Sequence, residues 1–181
     1  MTRWTIDPTH SEVTFKVKHL LVSTVTGHFR SFNAAMETGQ DDFSDAKITF
    51  EADVNSIDTK NDQRDAHLKS PDFFDAANHE SISFTSTSVR RVSDFELQVK
   101  GDLTMRGITR EVVLDVEYNG TVAGFGGTQV AGFEIRGKVN RFDFGLQWNA
   151  LTEAGGVVVG NEVKIEILAE FTKVQSVTKA A

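Results

Sequence analysis

Alternation of apolar and polar residues with a period of two is the feature that most restricts the fold of this chain. It is clearest in residues 12–19, 47–54, 96–103, 132–139 and 163–172. Successive side chains of a β-strand point to opposite faces of the sheet, so each segment predicts a strand with one dry and one wet face. This pattern is typical of antiparallel sheets and excludes a mainly helical fold.

Three weaker segments, residues 24–36, 81–89 and 108–118, also have strand composition, and Gly27 predicts a bulge or bend within the first of them. The sequence therefore predicts an all-β fold of eight antiparallel strands. We expect a closed up-and-down β-barrel, because closure removes the exposed sheet edges. An open β-sandwich is the alternative that the same alternation permits.

One long segment, from Ser56 to Glu80, breaks the alternation. Thr59 followed by Asp62 resembles a weakened capping box for a short helix, which we expect to end before Pro71. A connection of this length is uncommon without a role. We therefore expect a short helical lid or plug near residues 59–75, at one end of the barrel.

Composition narrows the class of protein. The chain has 181 residues, a formal net charge of −7 and no cysteine, which predicts one domain over residues 1–181 without thiol chemistry. The acidic balance argues against nucleic acid as a partner, and no apolar run is long enough to predict a membrane-spanning helix. The N-terminus lacks a signal-peptide pattern, so we expect a cytoplasmic protein, or a periplasmic or secreted one if a leader was trimmed.

Phenylalanine is the unusual entry in the composition, with fourteen residues against one tyrosine and two tryptophans. Phenylalanine has no polar group and favours a dry environment, whereas tyrosine and tryptophan suit half-wet positions. The chain must therefore hide a large apolar aromatic surface. Either its core is rich in phenylalanine, or the protein encloses an apolar molecule.

The polar groups do not predict a catalytic or metal site. The five histidines show no pair at the spacing typical of zinc ligands. Asp7, His10 and Ser11 contain the residue types of a hydrolase triad, but adjacent strand residues face opposite ways, so we interpret them as turn residues that bond local backbone groups. Arg141 and Asp143 share one strand face and predict a structural salt bridge.

Two groups could contact the polar end of a ligand. On a helix, Arg64, His67 and Leu68 would share one face, where they would either touch a ligand head group or hold the lid onto an acid of the barrel rim. His19 lies on the dry face of its strand by alternation with Val17. A histidine among apolar side chains is either a satisfied core residue or a ligand contact.

Alternation and the lid together give the candidate ligand-binding residues. Small residues on the dry faces, including Ala52, Gly101, Gly137 and Ala169, are expected to leave space between large aromatic side chains. The predicted set comprises Phe15, Val17, His19, Phe29, Phe50, Ala52, Arg64, His67, Phe73, Phe74, Phe133, Ile135, Ile167 and Ala169.

Ordered motifs extend across nearly the whole chain. They are Trp4-Thr5-Ile6-Asp7 with His10-Ser11, Gly27-His28-Phe29, Arg64-Asp65-x-His67-Leu68, Asp72-Phe73-Phe74, Gly101-Asp102-Leu103-Thr104, Asn140-Arg141-x-Asp143-Phe144-Gly145 and Gly160-x-Glu162-Val163. Together they resemble the YceI-like, lipocalin-like polyisoprenoid-binding proteins of bacteria. The resemblance implies an eight-stranded barrel, longer than a lipocalin, with an isoprenoid quinone, polyprenyl or fatty-acyl molecule in its lumen. We expect no cofactor.

Three functions remain open at this point. The first is a carrier or store for a small-molecule lipid, which needs few polar contacts. The second is an enzyme that acts on a lipid or quinone through His19, Arg64 and His67, for which the sequence offers no nucleophile or redox cofactor. The third is a solid-cored, stress-related interaction protein. The sequence also leaves open whether the barrel pairs with a second copy as a homodimer.

Overall fold

The computed structural model describes residues 1–176, and almost all of its regular structure is β-strand. The one α-helix, α1, spans Asp62–Lys69. Among these residues, no helix is long and apolar enough to cross a membrane. The strands are β1 Thr2–Ile6, β2 Glu12–His19, β3 Ser23–Phe29, β4 Phe32–Thr38, β5 Lys47–Asp53, β6 Ile57–Asp58, β7 Ser81–Arg91, β8 Glu96–Met105, β9 Ile108–Ala123, β10 Gln129–Asn140 and β11 Val159–Lys173.

The strands form one closed antiparallel barrel, because β1 at one side of the sheet also pairs with β11. Six of the shorter strands join into three long ones. β1 and β2 are one strand interrupted by a 3₁₀ turn at Pro8–His10, β3 and β4 are one strand broken at residues 30–31, and β6 continues β5. The barrel therefore has eight long strands, which confirms the predicted fold class over the β-sandwich alternative.

The break in the second long strand was predicted at the wrong residue. Gly27 lies in regular pairing opposite Phe15, and the break falls at Arg30 and Ser31. The aromatic ring of Phe15 lies over Gly27, where an added Cβ atom would clash with it. The glycine thus provides space for a cross-strand ring rather than a bend in the backbone.

The short helix lies where the sequence predicts it, but its cap differs. Asn61, not Thr59, is the N-cap, and its side chain accepts a hydrogen bond from the backbone N–H of Arg64 at 2.9 Å. Thr59 is buried and instead donates its backbone N–H to Oδ1 of Asp65 at 2.9 Å. Asp65 therefore secures the start of the helix to the segment that precedes it.

The connections divide between two ends of the barrel. We call one the lid end; it carries the β2–β3 turn and the segments 59–80 and 141–158. The other, here called the sealed end, carries the loop 39–46 and the turns 92–95 and 124–128. Side chains that point inward from the eight long strands meet between these two ends.

Candidate functional site: an apolar cavity inside the barrel

The interior of the barrel contains a cavity of about 240 Å³. Protein interiors pack as densely as organic crystals and contain few voids larger than a water molecule, so this barrel is hollow rather than solid-cored. Each of the eight long strands contributes inward-facing apolar side chains to the cavity wall. Of the residues that form the wall, only Thr14 and Arg141 are polar or charged.

Burial shows where the free volume lies. Phe15, Phe50 and Ile135 point into the barrel, yet they are only half-buried, because they border the empty space. Ala52, by contrast, is 1% exposed, and Ala169 is 7% exposed. These two alanines therefore sit where neighbouring side chains already close the space, and the wide part of the cavity lies along the half-buried side chains.

Two glycines that were expected to leave space do not leave it empty. The ring of Phe84 covers Gly101, and the side chain of Leu114 covers Gly137. In both cases the covering residue comes from a neighbouring strand. The prediction of empty space was wrong at these positions, because alternation gives the face of the sheet on which a residue lies but not which neighbouring side chain covers it.

Phe43 closes the sealed end. It is 2% exposed, although it belongs to the loop 39–46 between two strands. Its ring centroid lies 5.5 Å from that of Trp4, 5.3 Å from Tyr118 and 5.1 Å from Phe133, all in edge-to-face geometry. Such aromatic pairs add to the stabilisation from burial. The four rings form an aromatic plug across this end of the barrel.

A carboxylate holds the loop that carries Phe43. Asp45 accepts hydrogen bonds from Thr38 Oγ1 at 2.6 Å and from the backbone N–H of Gly39 at 2.9 Å. These bonds, chiefly the one from Thr38, lower the pKa of Asp45 below its usual value. The loop 39–46 is therefore anchored to the barrel, with a buried aromatic residue at its centre.

Aromatic side chains of the 59–80 segment cover the lid end. Phe73 and Phe74 both line the cavity, and the ring centroid of Phe74 lies 6.1 Å from that of Phe29. The His67 ring packs edge-on between Phe73, at 5.0 Å, and Trp148, at 4.6 Å. The lid segment therefore contacts the 141–158 segment through edge-to-face ring contacts.

Arg141 is a buried cation at the same end and is 3% exposed. Its guanidinium donates to the carbonyl oxygens of Gly160, Leu146 and Trp148 at 2.6–2.8 Å and to that of Val159 at 3.3 Å. Burial lowers the pKa of this guanidinium. The predicted salt bridge to Asp143 was wrong, because Arg141 begins a 3₁₀ turn and its side chain points inward to backbone carbonyls.

The Asp7 turn is held by side-chain bonds of its own. Oδ1 of Asp7 accepts from the backbone N–H and the hydroxyl of Thr9, and Oδ2 lies 2.9 Å from Nδ1 of His10. These bonds lower the pKa of Asp7 to about 2, and the bond to Asp7 raises the pKa of His10. Ser11 departs from the local bonding expected of it, because its hydroxyl accepts from the N–H of Glu170 on β11.

Three of the predicted ligand contacts lie outside the cavity wall, whereas eleven line it. His19 is the last residue of β2, and the wall ends one inward position earlier, at Val17. The guanidinium of Arg64 turns back to Thr59, with Nε 2.8 Å from Oγ1 and Nη2 2.8 Å from the carbonyl oxygen. His67 is occupied by its aromatic neighbours and by Asp72, at 2.8 Å. The eleven are Phe15, Val17, Phe29, Phe50, Ala52, Phe73, Phe74, Phe133, Ile135, Ile167 and Ala169.

Sequence reasoning missed several wall residues. Phe84 and Leu114 lie on dry strand faces, so alternation could have found them. Phe43 stands in an acidic turn, and Arg141 in a polar stretch at the end of a strand. Their sequence neighbourhood gives no sign that either side chain turns inward.

These features define a class of protein: a closed, lipocalin-like antiparallel barrel with an apolar cavity that is covered at both ends. The YceI-like domain model matches residues 4–171, and the chain belongs to this family. The UPF0312 protein of Staphylococcus aureus strain bovine RF122 / ET3-1 is 44% identical over 173 residues, which cover 95% of this chain and 98% of that protein.

Solved structures show the same fold. The YceI protein of Campylobacter jejuni is 28% identical with a TM-score of 0.73, covering 88% of this chain and 91% of that one. BcnA of Burkholderia cenocepacia has a TM-score of 0.78 at 21% identity, with 91% and 98% covered. A polyisoprenoid binding domain of Saccharophagus degradans has a TM-score of 0.63 at 15% identity, with 93% and 97% covered.

Proposed function

We propose that this protein binds a long apolar lipid in the barrel lumen and stores or transports it without catalysing a reaction. The ligand we expect is of the isoprenoid quinone, polyprenyl or fatty-acyl type. The observation that carries the proposal is the cavity itself, which is walled by apolar side chains from every long strand. The Saccharophagus degradans domain is described as polyisoprenoid-binding; for this chain the proposal rests on its own cavity.

The wall also favours an uncharged chain inside the lumen. Arg141 directs its strong donors to backbone carbonyls, so the cavity offers little to an ionised head group. Burying a charge without a partner is very costly, whereas about ten buried methylenes contribute roughly 8 kcal/mol before association costs. We therefore place the hydrocarbon chain in the cavity and any polar group toward one of the ends.

The residues considered for an enzyme support binding rather than turnover. His19, Arg64 and His67 do not line the cavity, and the hydrogen-bond partners of Arg64 and His67 belong to the lid segment itself. A lipid chain in the lumen would lie against apolar side chains, and the wall residues include no histidine or carboxylate that could act as a general base.

Organic extraction followed by mass spectrometry tests the proposal on protein purified under native conditions. We expect a lipid in stoichiometric amount. The lipid-free protein is then titrated with methyl palmitate and with palmitate above neutral pH, and we expect the ester to bind more tightly. Absence of both copurified lipid and probe binding would refute the carrier function, and chemical turnover of the bound lipid would favour the enzyme.

A further inference from the structure

Two neighbouring turns at the lid end expose large apolar side chains to solvent. Leu20, Leu21 and Val22 form the β2–β3 turn, and their exposures are 40%, 68% and 85%. Leu151 and Val157 face each other in an isolated β-bridge of the 141–158 segment and are 73% and 37% exposed. We call these five residues the apolar rim.

The two turns of the apolar rim form one surface, which continues into the wall of the cavity. The backbone N–H of Leu20 donates to the carbonyl oxygen of Val158 at 2.9 Å. Val159, the next residue, lines the cavity, and Val17 does so on β2 just before the turn. The rim therefore lies directly at the edge of the apolar interior.

Charge distinguishes this surface from the rest of an acidic protein. Residues 20–22 and 150–158 contain one ionisable side chain, that of Glu153. The sealed end also exposes apolar side chains, among them Phe95 and Phe125. There, however, Asp94 precedes Phe95 directly, and the adjoining loop 39–46 carries three aspartates. The apolar rim is therefore poorer in charged side chains than the apolar surface at the sealed end.

The residue types in the β2–β3 turn are unusual for the backbone that the turn adopts. Leu20 and Leu21 have φ values of 52° and 60°, a left-handed conformation that glycine and asparagine adopt most readily in such turns. Leucine at these two positions lowers the stability of the fold, because a left-handed backbone is strained by its side chain and because its apolar surface is exposed to water. They fit a surface that inserts its side chains into an apolar medium.

We propose that the apolar rim docks the lid end onto the surface of a lipid bilayer, so that a lipid passes between the bilayer and the cavity without crossing water. This inference rests on the proposed lipid-binding function. A bilayer is the occupant that fits, because the surface is apolar and poor in charge and because it adjoins a cavity suited to hydrocarbon chains.

The test compares matched double variants at the two ends of the barrel. Leu21→Asn with Val22→Ser makes the rim polar, and asparagine tolerates the backbone of residue 21. Phe95→Ser with Phe125→Ser makes the corresponding change at the sealed end. Each protein is loaded with a pyrene-labelled uncharged alkane, and its transfer to phosphatidylcholine vesicles is followed by fluorescence.

For the unaltered protein we expect a transfer rate that rises with vesicle concentration, as collision requires. The rim variant should transfer about tenfold more slowly, because its exposed side chains lose most of their transfer free energy into lipid, while the sealed-end variant should match the unaltered protein. A rate independent of vesicle concentration would overturn docking, as would slowing by the sealed-end variant alone. A rim variant that instead converts a dimer to a monomer in sedimentation would assign the surface to a second copy.

Flotation of lipid-free protein with the same vesicles separates this inference from the proposed function. If no protein binds the alkane, the lipid-binding function fails. Flotation of the unaltered protein, with loss of flotation in the rim variant only, would still support docking. Equal flotation of the two proteins, or none, would overturn it.

Discussion

A tryptophan in place of Ile135 tests whether the barrel is hollow where the structure places the free volume. Ile135 points inward from the middle of β10, between Val116 and Ile167 on the adjacent strands. It is only half-buried because it borders the cavity. We expect Ile135→Trp to fold into the same barrel and to place its indole in the space that a lipid would occupy.

The cavity volume sets the size of the effect. An unfilled cavity costs about 24 cal/mol per Å³, so the 240 Å³ present here corresponds to roughly 6 kcal/mol. An indole that fills about half of this space should raise the free energy of unfolding by up to about 3 kcal/mol. In a tightly packed core the same enlargement would lower it by about 1 to 3 kcal/mol.

Ala52→Trp is the matched control, because Ala52 also belongs to the wall but is 1% exposed. Urea unfolding of lipid-stripped proteins should show Ile135→Trp equal to or more stable than the unaltered protein and Ala52→Trp clearly less stable. Ile135→Trp should also bind methyl palmitate at least about tenfold more weakly. If both substitutions destabilise the barrel equally, or if Ile135→Trp binds lipid normally, the account of the free volume is wrong.

Three further perturbations probe the two ends of the barrel and the Asp7 turn. Phe74→Ser removes a ring that covers the cavity and should speed release of a bound probe in stopped-flow measurements. Phe125→Ser, at a fully exposed site, should leave the release rate unchanged. Equal release rates in the two variants would show that the lid segment does not control ligand release. Arg141→Met should lower the free energy of unfolding by about 3 to 5 kcal/mol in urea, because buried carbonyls lose their donor; a smaller loss would show that water replaces the guanidinium. The pKa of His10, followed by NMR, should lie above 6.5 and return toward 6.5 in Asp7→Asn. Because the pKa is raised in the folded protein, the contact with Asp7 contributes its full stability below pH 6.5 and loses it as the pH rises through the raised pKa. An unchanged pKa in Asp7→Asn would contradict the assigned contact.

The number and direction of the strands could be predicted from the sequence because alternation is a local property. Each residue's face follows from its immediate neighbours along the chain. Phe15, Phe50 and Ile135 were assigned to the interior on this basis, and the structure places them in the cavity wall. The lid segment could be located for the same reason, since alternation stops over its whole length.

The ends of the barrel could not be predicted in the same way. Phe43 stands among aspartates, and its burial depends on Trp4, Tyr118 and Phe133, which lie far away in the sequence. Arg141 was placed by alternation on one strand face with Asp143, which predicted a structural salt bridge. Its inward turn depends on carbonyl groups of the 146–160 stretch, whose position only the folded chain defines.

The sequence by itself determined the all-β fold and which faces are dry, whereas the tertiary structure decided which parts of the dry interior are empty. The sequence predicts empty space beside Gly101, but the ring of Phe84 from the adjacent strand fills that space. Ala52 was likewise expected to leave space but is 1% exposed, whereas the larger Ile135 borders the cavity. Packing depends on pairs of side chains brought together across strands, and no local pattern records which of those pairs leaves room for a ligand.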